Sequence, residues 1–337
     1  MNEKDARLTE FCRQDGYDGV FIRRRSNVAW ATDGADMHCN AFSELGVAAL
    51  LWTPGRKVVL TNNVDGPRLA AEELPSDWTV EETSWWEIRP ALDGHFATDY
   101  PDDCLVDLRS CLTPVELDRI RALGAEAAET VEQLAKDVRP GCSELEVAGE
   151  LISRLRKRGI LAPVVLIGGD DRIVRYRHPV PTSHRSERAL MIVVCAQRDG
   201  LIVALTRLVR FGPLPGEVRR RHDAVCRIDE AYHAATVPGA RWCDVLAEGI
   251  QAYQKAGWPD EWRRHFQGGP MGYEPRDFWA TPTETRRGAP NQAVGWNPSI
   301  TGTKSEDTRL STGEVITGTG EWPMNGQRPD ILVRQSL

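Results

Sequence analysis

The feature that most restricts the fold of this chain is a unit that occurs twice: a helix pair broken by a proline–glycine turn and joined to strand-forming segments. The first pair opens at Leu112-Thr113-Pro114-Val115-Glu116. Thr113 suits the N-cap and Pro114 the first helical position, while Glu116, three residues past the cap, completes a capping box. That helix is expected to run to about Val138 and stop at Arg139-Pro140-Gly141. Ser143 and Glu146 then cap a second helix reaching Arg158, ended by Gly159. The second pair spans Glu217 to Thr236 and Trp242 to Ala256, divided by Val237-Pro238-Gly239. A helix–helix–strand unit used twice reads as an approximate internal repeat, a pattern that helical bundles show too.

Between the pairs lie Met191 to Gly212, two apolar strands about Asp199-Gly200, preceded by Arg177-His178-Pro179-Val180-Pro181-Thr182. After the second pair come three polar, glycine-rich turns: His265 to Asp277, Asn291 to Pro298, and Gly302 to Thr308. Polar groups gathered where glycine lets the backbone approach closely mark a site more than a surface loop. His178 is the leading proton carrier, since imidazole gains and loses a proton near neutral pH. The bland alternative is a surface histidine among arginines. His222 and His233 fall in predicted helices and read as structural, and His265 reads as a residue behind the site.

The first hundred residues alternate differently. A short helix (Ala6 to Gly16), a strand (Gly19 to Ile22), a hairpin about Thr53-Pro54-Gly55-Arg56, a helix (Pro67 to Leu74) and a strand at Trp78 form an α/β pattern. The boundary falls at the Thr113-Pro114 helix start, giving domains 1–111 and 112–337 in an α/β (α+β) chain.

Charge and cysteine usage narrow the partners. The net charge is −7 with no dense Lys/Arg block, so neither nucleic acid nor an anionic membrane is expected. The 8 Cys residues are scattered without a CxxC pair, and no apolar signal region opens the chain, so reduced thiols and a cytoplasmic location are expected. The 11 Trp are numerous, and those beside polar turns (Trp30, Trp85, Trp86, Trp279, Trp296, Trp322) could wall a small ligand.

These turns, in this order, resemble the creatinase, prolidase and methionine aminopeptidase superfamily, the M24-like pita-bread fold. The matching pieces are the helix-introducing turn, His178 with Pro181-Thr182, Leu205-Thr206-Arg207 and Glu306-Asp307-Thr308; Asn27-Val-Ala-Trp30 resembles a segment of the creatinase and prolidase N-terminal domains. The resemblance implies a small α/β creatinase-like N-terminal domain followed by a pita-bread domain with pseudo-two-fold symmetry, which the repeated helix pairs match. Metal-dependent members hold two metal ions with two Asp, one His and two Glu. The corresponding positions here are Val193 (or Val194), Ala204, Gly269, Asn297 and Glu306. One carboxylate and one amide cannot hold a divalent pair, because hard cations need several charged oxygen ligands. No metal and no other cofactor is expected.

Creatinase is the member of the superfamily that works without metal. Resemblance to it implies C–N bond hydrolysis of a small, polar, amino-acid-like substrate, with His178 as acid/base and Glu306 gripping a cationic or amide-like nitrogen. Thr206 stands where creatinase has Glu, so the resemblance does not extend to creatine. Arg276 is expected to bind a substrate carboxylate with Asp277 as its partner, and Asn297, Tyr273, Thr206 and Arg207 complete the expected binding residues. The alternative reading is a catalytically inactive pita-bread scaffold that binds a peptide or protein. Resemblance further implies a homodimer.

Overall fold

The computed structural model describes residues 2–89 and 91–334. By contact density the chain divides into two units, one reaching Thr113 together with Asp199–Leu201, the other holding Pro114–Arg198 and the residues from Ile202 onward.

The first unit is built on a five-stranded sheet. Strands β1 (Gly19–Arg24), β2 (Leu45–Thr53), β3 (Arg56–Asn62), β4 (Thr79–Thr83) and β5 (Phe96–Thr98) lie in the order β4-β3-β2-β1-β5. β2 and β3 form the expected hairpin, Leu50 opposite Val59 and Leu51 opposite Val58, with the left-handed turn taken by Gly55 (φ 93°). β1–β5 and β3–β4 are parallel, a pairing that local pattern does not announce. Helix α1 (Glu3–Asp15) is capped by Asn2, whose side chain accepts from the Asp5 N–H. The Asn27–Trp30 segment lies in helix α2 (Arg25–Ala31), where Asn27 and Trp30 are fully buried. Asn27 Nδ2 donates to Asp99 and Asp103 at 2.9 and 2.8 Å. Trp30 is therefore core, not ligand wall.

In the second unit the helix pairs form close to their expected limits. Helix α3 spans Pro114–Asp137, and its buried stripe Ile120, Leu123, Ala127, Val131, Leu134 follows the helical period. α4 (Glu144–Arg156) starts on the full capping box, Ser143 accepting from the Glu146 N–H and Glu146 from the Ser143 N–H. α5 (Gly216–Ala235) and α6 (Trp242–Lys255) bury Ile228, Tyr232, Trp242, Leu246 and Tyr253 in one cluster with Trp296. Tyr232 and Trp296 stack with ring centroids 4.4 Å apart, and burying side chains of this size contributes on the order of 1.5–3 kcal/mol each.

Two sheets carry the residues of interest. Strands β6 (Leu161–Gly169), β7 (Ala189–Arg198), β8 (Leu201–Phe211) and a late strand (Ile331–Arg334) lie in the order late strand-β8-β7-β6. Strands β9 (Gly268–Met271), β10 (Ala293–Trp296) and β11 (Asp307–Leu310) form an antiparallel set with Gly269 opposite Gly295 and Gly295 opposite Thr308. The late strand, Ile331–Arg334, is β12 and runs parallel to β8. Among the described residues no helix is long and apolar enough to cross a membrane.

Candidate functional site

His178 is held by its loop, not by a helix or strand. The loop is tied at one end by Glu144, a fully buried carboxylate at the start of α4. Its Oε1 accepts from the Gly169 N–H (2.9 Å) and Arg172 Nε (2.8 Å), and its Oε2 from the N–H and hydroxyl of Thr182 (2.9 and 2.8 Å). At the other end Arg177 pairs with Glu261 and donates to Thr301 Oγ1 at 3.0 Å. Gly168 lets the loop cross β6, since a Cβ there would sit 2.6 Å from Pro179. The Pro181-Thr182 pair noticed beside His178 thus acts through Thr182 as an anchor.

The outcome not expected from sequence is His265. It is buried (8 % exposed), and its Nε2 lies 3.1 Å from Nε2 of His178. His265 therefore belongs in the site itself, not behind it. Asn297 Nδ2 also reaches His265 Nε2, at 3.4 Å, and His265 Nδ1 lies 3.1 Å from Ser299 Oγ. Both ring nitrogens of His265 are thus engaged, Nδ1 by the Ser299 hydroxyl and Nε2 by His178 and the Asn297 amide. Burial and then the Lys304 charge hold the His178 pKa below the ordinary value against an opposing pull from Glu306. Burial drives His265 much further down, to about 2, helped by Lys304 and His178. Both rings are neutral at pH 7.

Glu306 immediately precedes β11 and is 3 % exposed. Its Oε2 accepts from Thr206 Oγ1 (2.6 Å) and Lys304 Nζ (2.8 Å), its Oε1 from Arg276 Nη2 (3.2 Å). Burial alone would raise its pKa, but Lys304 and Arg276 outweigh burial and hold it below the usual carboxylate range. Oε2 accepts two donors and Oε1 one, so most of the acceptor capacity expected to grip a cationic substrate group is taken up within the chain. Lys304 was not singled out from sequence. It sits on a two-residue strand, Thr303–Lys304, that pairs with Ser299–Ile300 and sets Lys304 opposite Ser299. The available signal was a lysine two residues before the Glu in an otherwise neutral, glycine-led turn. Arg276 lies over Gly295, where a Cβ would come within 2.9 Å of Nη1. Cys195 completes the surroundings, its thiol pushed up to about 11 by burial and then by Glu306.

Several expected binding residues lie elsewhere. Thr206 and Arg207 are adjacent on β8 and face opposite ways. Thr206 reaches Glu306, while Arg207 is buried between Glu132 (2.8 Å) and Asp307 (2.9 Å) in a network extended by Arg328 and Asp229. Arg207 braces the fold and does not share the Glu306 cluster. Tyr273 is buried with its hydroxyl donating to Glu116 Oε1 at 2.6 Å. Asp277 donates its backbone N–H to Pro270 O at 2.9 Å. Arg276, the residue expected to pair with Asp277, meets Glu306 at 3.2 Å. His222 is structural, Nδ1 on Thr303 Oγ1 at 2.7 Å and Nε2 on Pro329 O at 3.1 Å. Of the tryptophans, Trp296 is core and Trp279 alone joins the rings near His178, through Phe266.

The geometry thus brings together His178, His265, Asn297, Ser299, Lys304, Glu306, Arg276 and Thr206. Residues 118–319 match Metallopeptidase family M24. Comparison by sequence with curated proteins yields no significant match. Among solved structures, the prolidase of Pyrococcus horikoshii OT3 superposes with a TM-score of 0.78 at 18 % identity, covering 94 % of this chain and 99 % of that one. The dipeptidase PepE of Mycobacterium ulcerans gives 0.77 at 16 % identity, covering 98 % and 97 %. The N-terminal domain of the FACT complex subunit SPT16 from Cicer arietinum (chickpea) gives 0.69 at 10 % identity, covering 94 % and 96 %. The shared fold is therefore the M24 pita-bread fold.

The family name implies metal. Among the described residues, no group of three or more His, Cys, Asp or Glu is placed to hold a metal ion. Of the residues that the resemblance sets at metal positions, Glu306 and Asn297 carry a carboxylate and an amide, and an ammonium and a guanidinium already meet the carboxylate. A divalent ion needs several anionic oxygens and is repelled by those two cations, so the residues present do not fit a metal pair.

Proposed function

The chain belongs to metallopeptidase family M24, and within that family we propose that it is a metal-independent hydrolase of a C–N bond in a small, polar, amino-acid-like substrate. The observation that carries this reading is the His178–His265 pair, with Nε2 atoms 3.1 Å apart. A buried neutral imidazole, fixed by Ser299 and Asn297, meets His178 Nε2 and holds its ring, much as an orienting group does for a general base. The lowered pKa of His178 keeps it unprotonated at neutral pH.

In this reading His178 Nδ1 takes a proton from the attacking water as its oxygen bonds to the substrate carbon. The same atom returns that proton to the departing nitrogen as the C–N bond breaks. Water is consumed, hydroxyl ends on carbon, hydrogen ends on nitrogen, and His178 is regenerated. His265 holds the ring and does not itself exchange protons, because its burial and the nearby Lys304 make its charged form too costly. The test is a chelator-treated assay of amine release from Xaa-Pro dipeptides, N-acyl amino acids and ureido acids. His178→Ala is expected to lower kcat by about a hundredfold with little change in KM, the usual scale of a lost general acid/base. Full turnover in His178→Ala removes the assignment.

A second reading, a scaffold that binds a peptide or protein without turnover, is favoured by one observation: both Glu306 oxygens accept donors from within the chain. It expects no hydrolysis of any of these substrates and partner binding insensitive to His178.

A further inference from the structure

The cluster around Glu306 holds an excess of positive charge. Lys304 and Arg276 side chains are 4 % and 6 % exposed and meet a single carboxylate, so two buried cations stand against one anion. Several of their hydrogen-bonding atoms are not used up. Arg276 Nη2 goes to Glu306 and Nη1 to Pro275 O (2.5 Å), but its buried Nε has no partner. Lys304 Nζ has three N–H donors, one of them directed at Glu306. Asn297, 2 % exposed, has a buried Oδ1 with no partner either. Isolated buried donors and acceptors cost free energy unless a partner meets them, and an uncompensated buried charge costs more.

We propose that Lys304 and Arg276 form a receptor for the carboxylate of the substrate. Asn297 Oδ1 accepts an N–H of the same molecule. The ligand class is a small carboxylate bearing an N–H donor, such as an N-acyl amino acid or a dipeptide, and not a free amine or guanidinium. Glu306 acts inside this receptor as the counter-ion that keeps two cations at close range, not as a contact for the ligand. Two half-exposed rings lie on the His178 side: Phe266 and Trp279, each 43 % exposed, have ring centroids 3.9 Å apart, and Phe266 lies 5.2 Å from His178.

This inference names the ligand class of the site proposed above and rests on that site taking a small molecule, but it does not require His178 to be catalytic. Isothermal titration of the full chain with N-acetylglycine, acetate, ethylamine and guanidine separates the possibilities. N-acetylglycine is expected to bind best, acetate more weakly, and the two cations not at all. Lys304→Met and Arg276→Met should each weaken N-acetylglycine at least tenfold, while Lys304→Arg, which keeps the charge if Lys304→Met does not fold, should retain binding. Preference for ethylamine or guanidine, no binding of N-acetylglycine at millimolar concentration, or binding unchanged in both charge-removing variants overturns the proposal. Lost turnover in His178→Ala bears on the hydrolase reading alone, so the two can fail separately.

Discussion

Lys304 Nζ lies 2.8 Å from Glu306 Oε2, two residues along the same turn, and both side chains are almost fully buried. A flexible, strongly hydrated ammonium is costly to bury, and it is retained here because the carboxylate beside it is equally buried. The pair is the centre on which Arg276 and Thr206 converge.

Removing the carboxylate from this centre should be expensive. Glu306→Gln leaves Lys304 and Arg276 facing each other without a counter-charge, and breaking a buried pair costs on the order of 3–5 kcal/mol. Urea unfolding of the variant at pH 7 is expected to show a loss of that size. A change within 1 kcal/mol would mean that the two cations are not held at close range.

Acid should unfold the protein in two stages. The folded-state pKa of His265 is lowered to about 2 and that of His233 to about 4, in both cases mainly by burial, from an unfolded value of 6.5. The unfolded chain therefore binds more protons below pH 6.5, and stability falls as pH drops through that value, by roughly 1 kcal/mol per pH unit for each such group. The lowered pKa of Glu306 has its own window: its contribution is present above the unfolded carboxylate value near 4.5 and is lost as pH falls below it. Denaturation midpoints at pH 7, 6, 5 and 4 should decline throughout this range, and His265→Gln should flatten the first stage. A midpoint constant from pH 7 to 5 would remove the neutral-imidazole picture.

Metal analysis of the purified protein should find no stoichiometric zinc, manganese or cobalt, and added divalent ions should leave the melting temperature unchanged. The opposing charges of Lys304 and Arg276 are the reason. Stabilisation by micromolar zinc that is lost in Asn297→Ala would show that a metal is held after all.

Sedimentation should show a homodimer. The first unit exposes Phe42, Ile88, Trp85 and Trp86, at 98, 96, 67 and 65 %, more large apolar surface than a lone domain usually leaves in water. Trp85 and Trp86 fluorescence is expected to shift to the blue on association. A monomer at micromolar concentration would end this expectation.

Local chemistry was legible in the sequence wherever a short-range rule governs it. The Ser143–Glu146 box, the helix pairs and the hairpin at Gly55 all rest on neighbours a few residues apart. The sequence also pointed to His178 and Glu306. Which residues meet them was decided by tertiary structure. His265 comes to His178 across 87 positions, and Thr206 to Glu306 across 100. Alternation then splits adjacent residues between two layers. Thr206 and Glu306 face the cluster, whereas Arg207 and Asp307, one position on, face the buried network with Glu132 and Arg328. Successive side chains of extended backbone point to opposite sides, so a motif such as Thr206-Arg207 states its residues without stating which side becomes the site. That assignment waits on the long-range pairing, here the Thr206 N–H donating to Glu306 O at 3.1 Å, which aligns the two segments and gives one layer its chemistry and the other its strength.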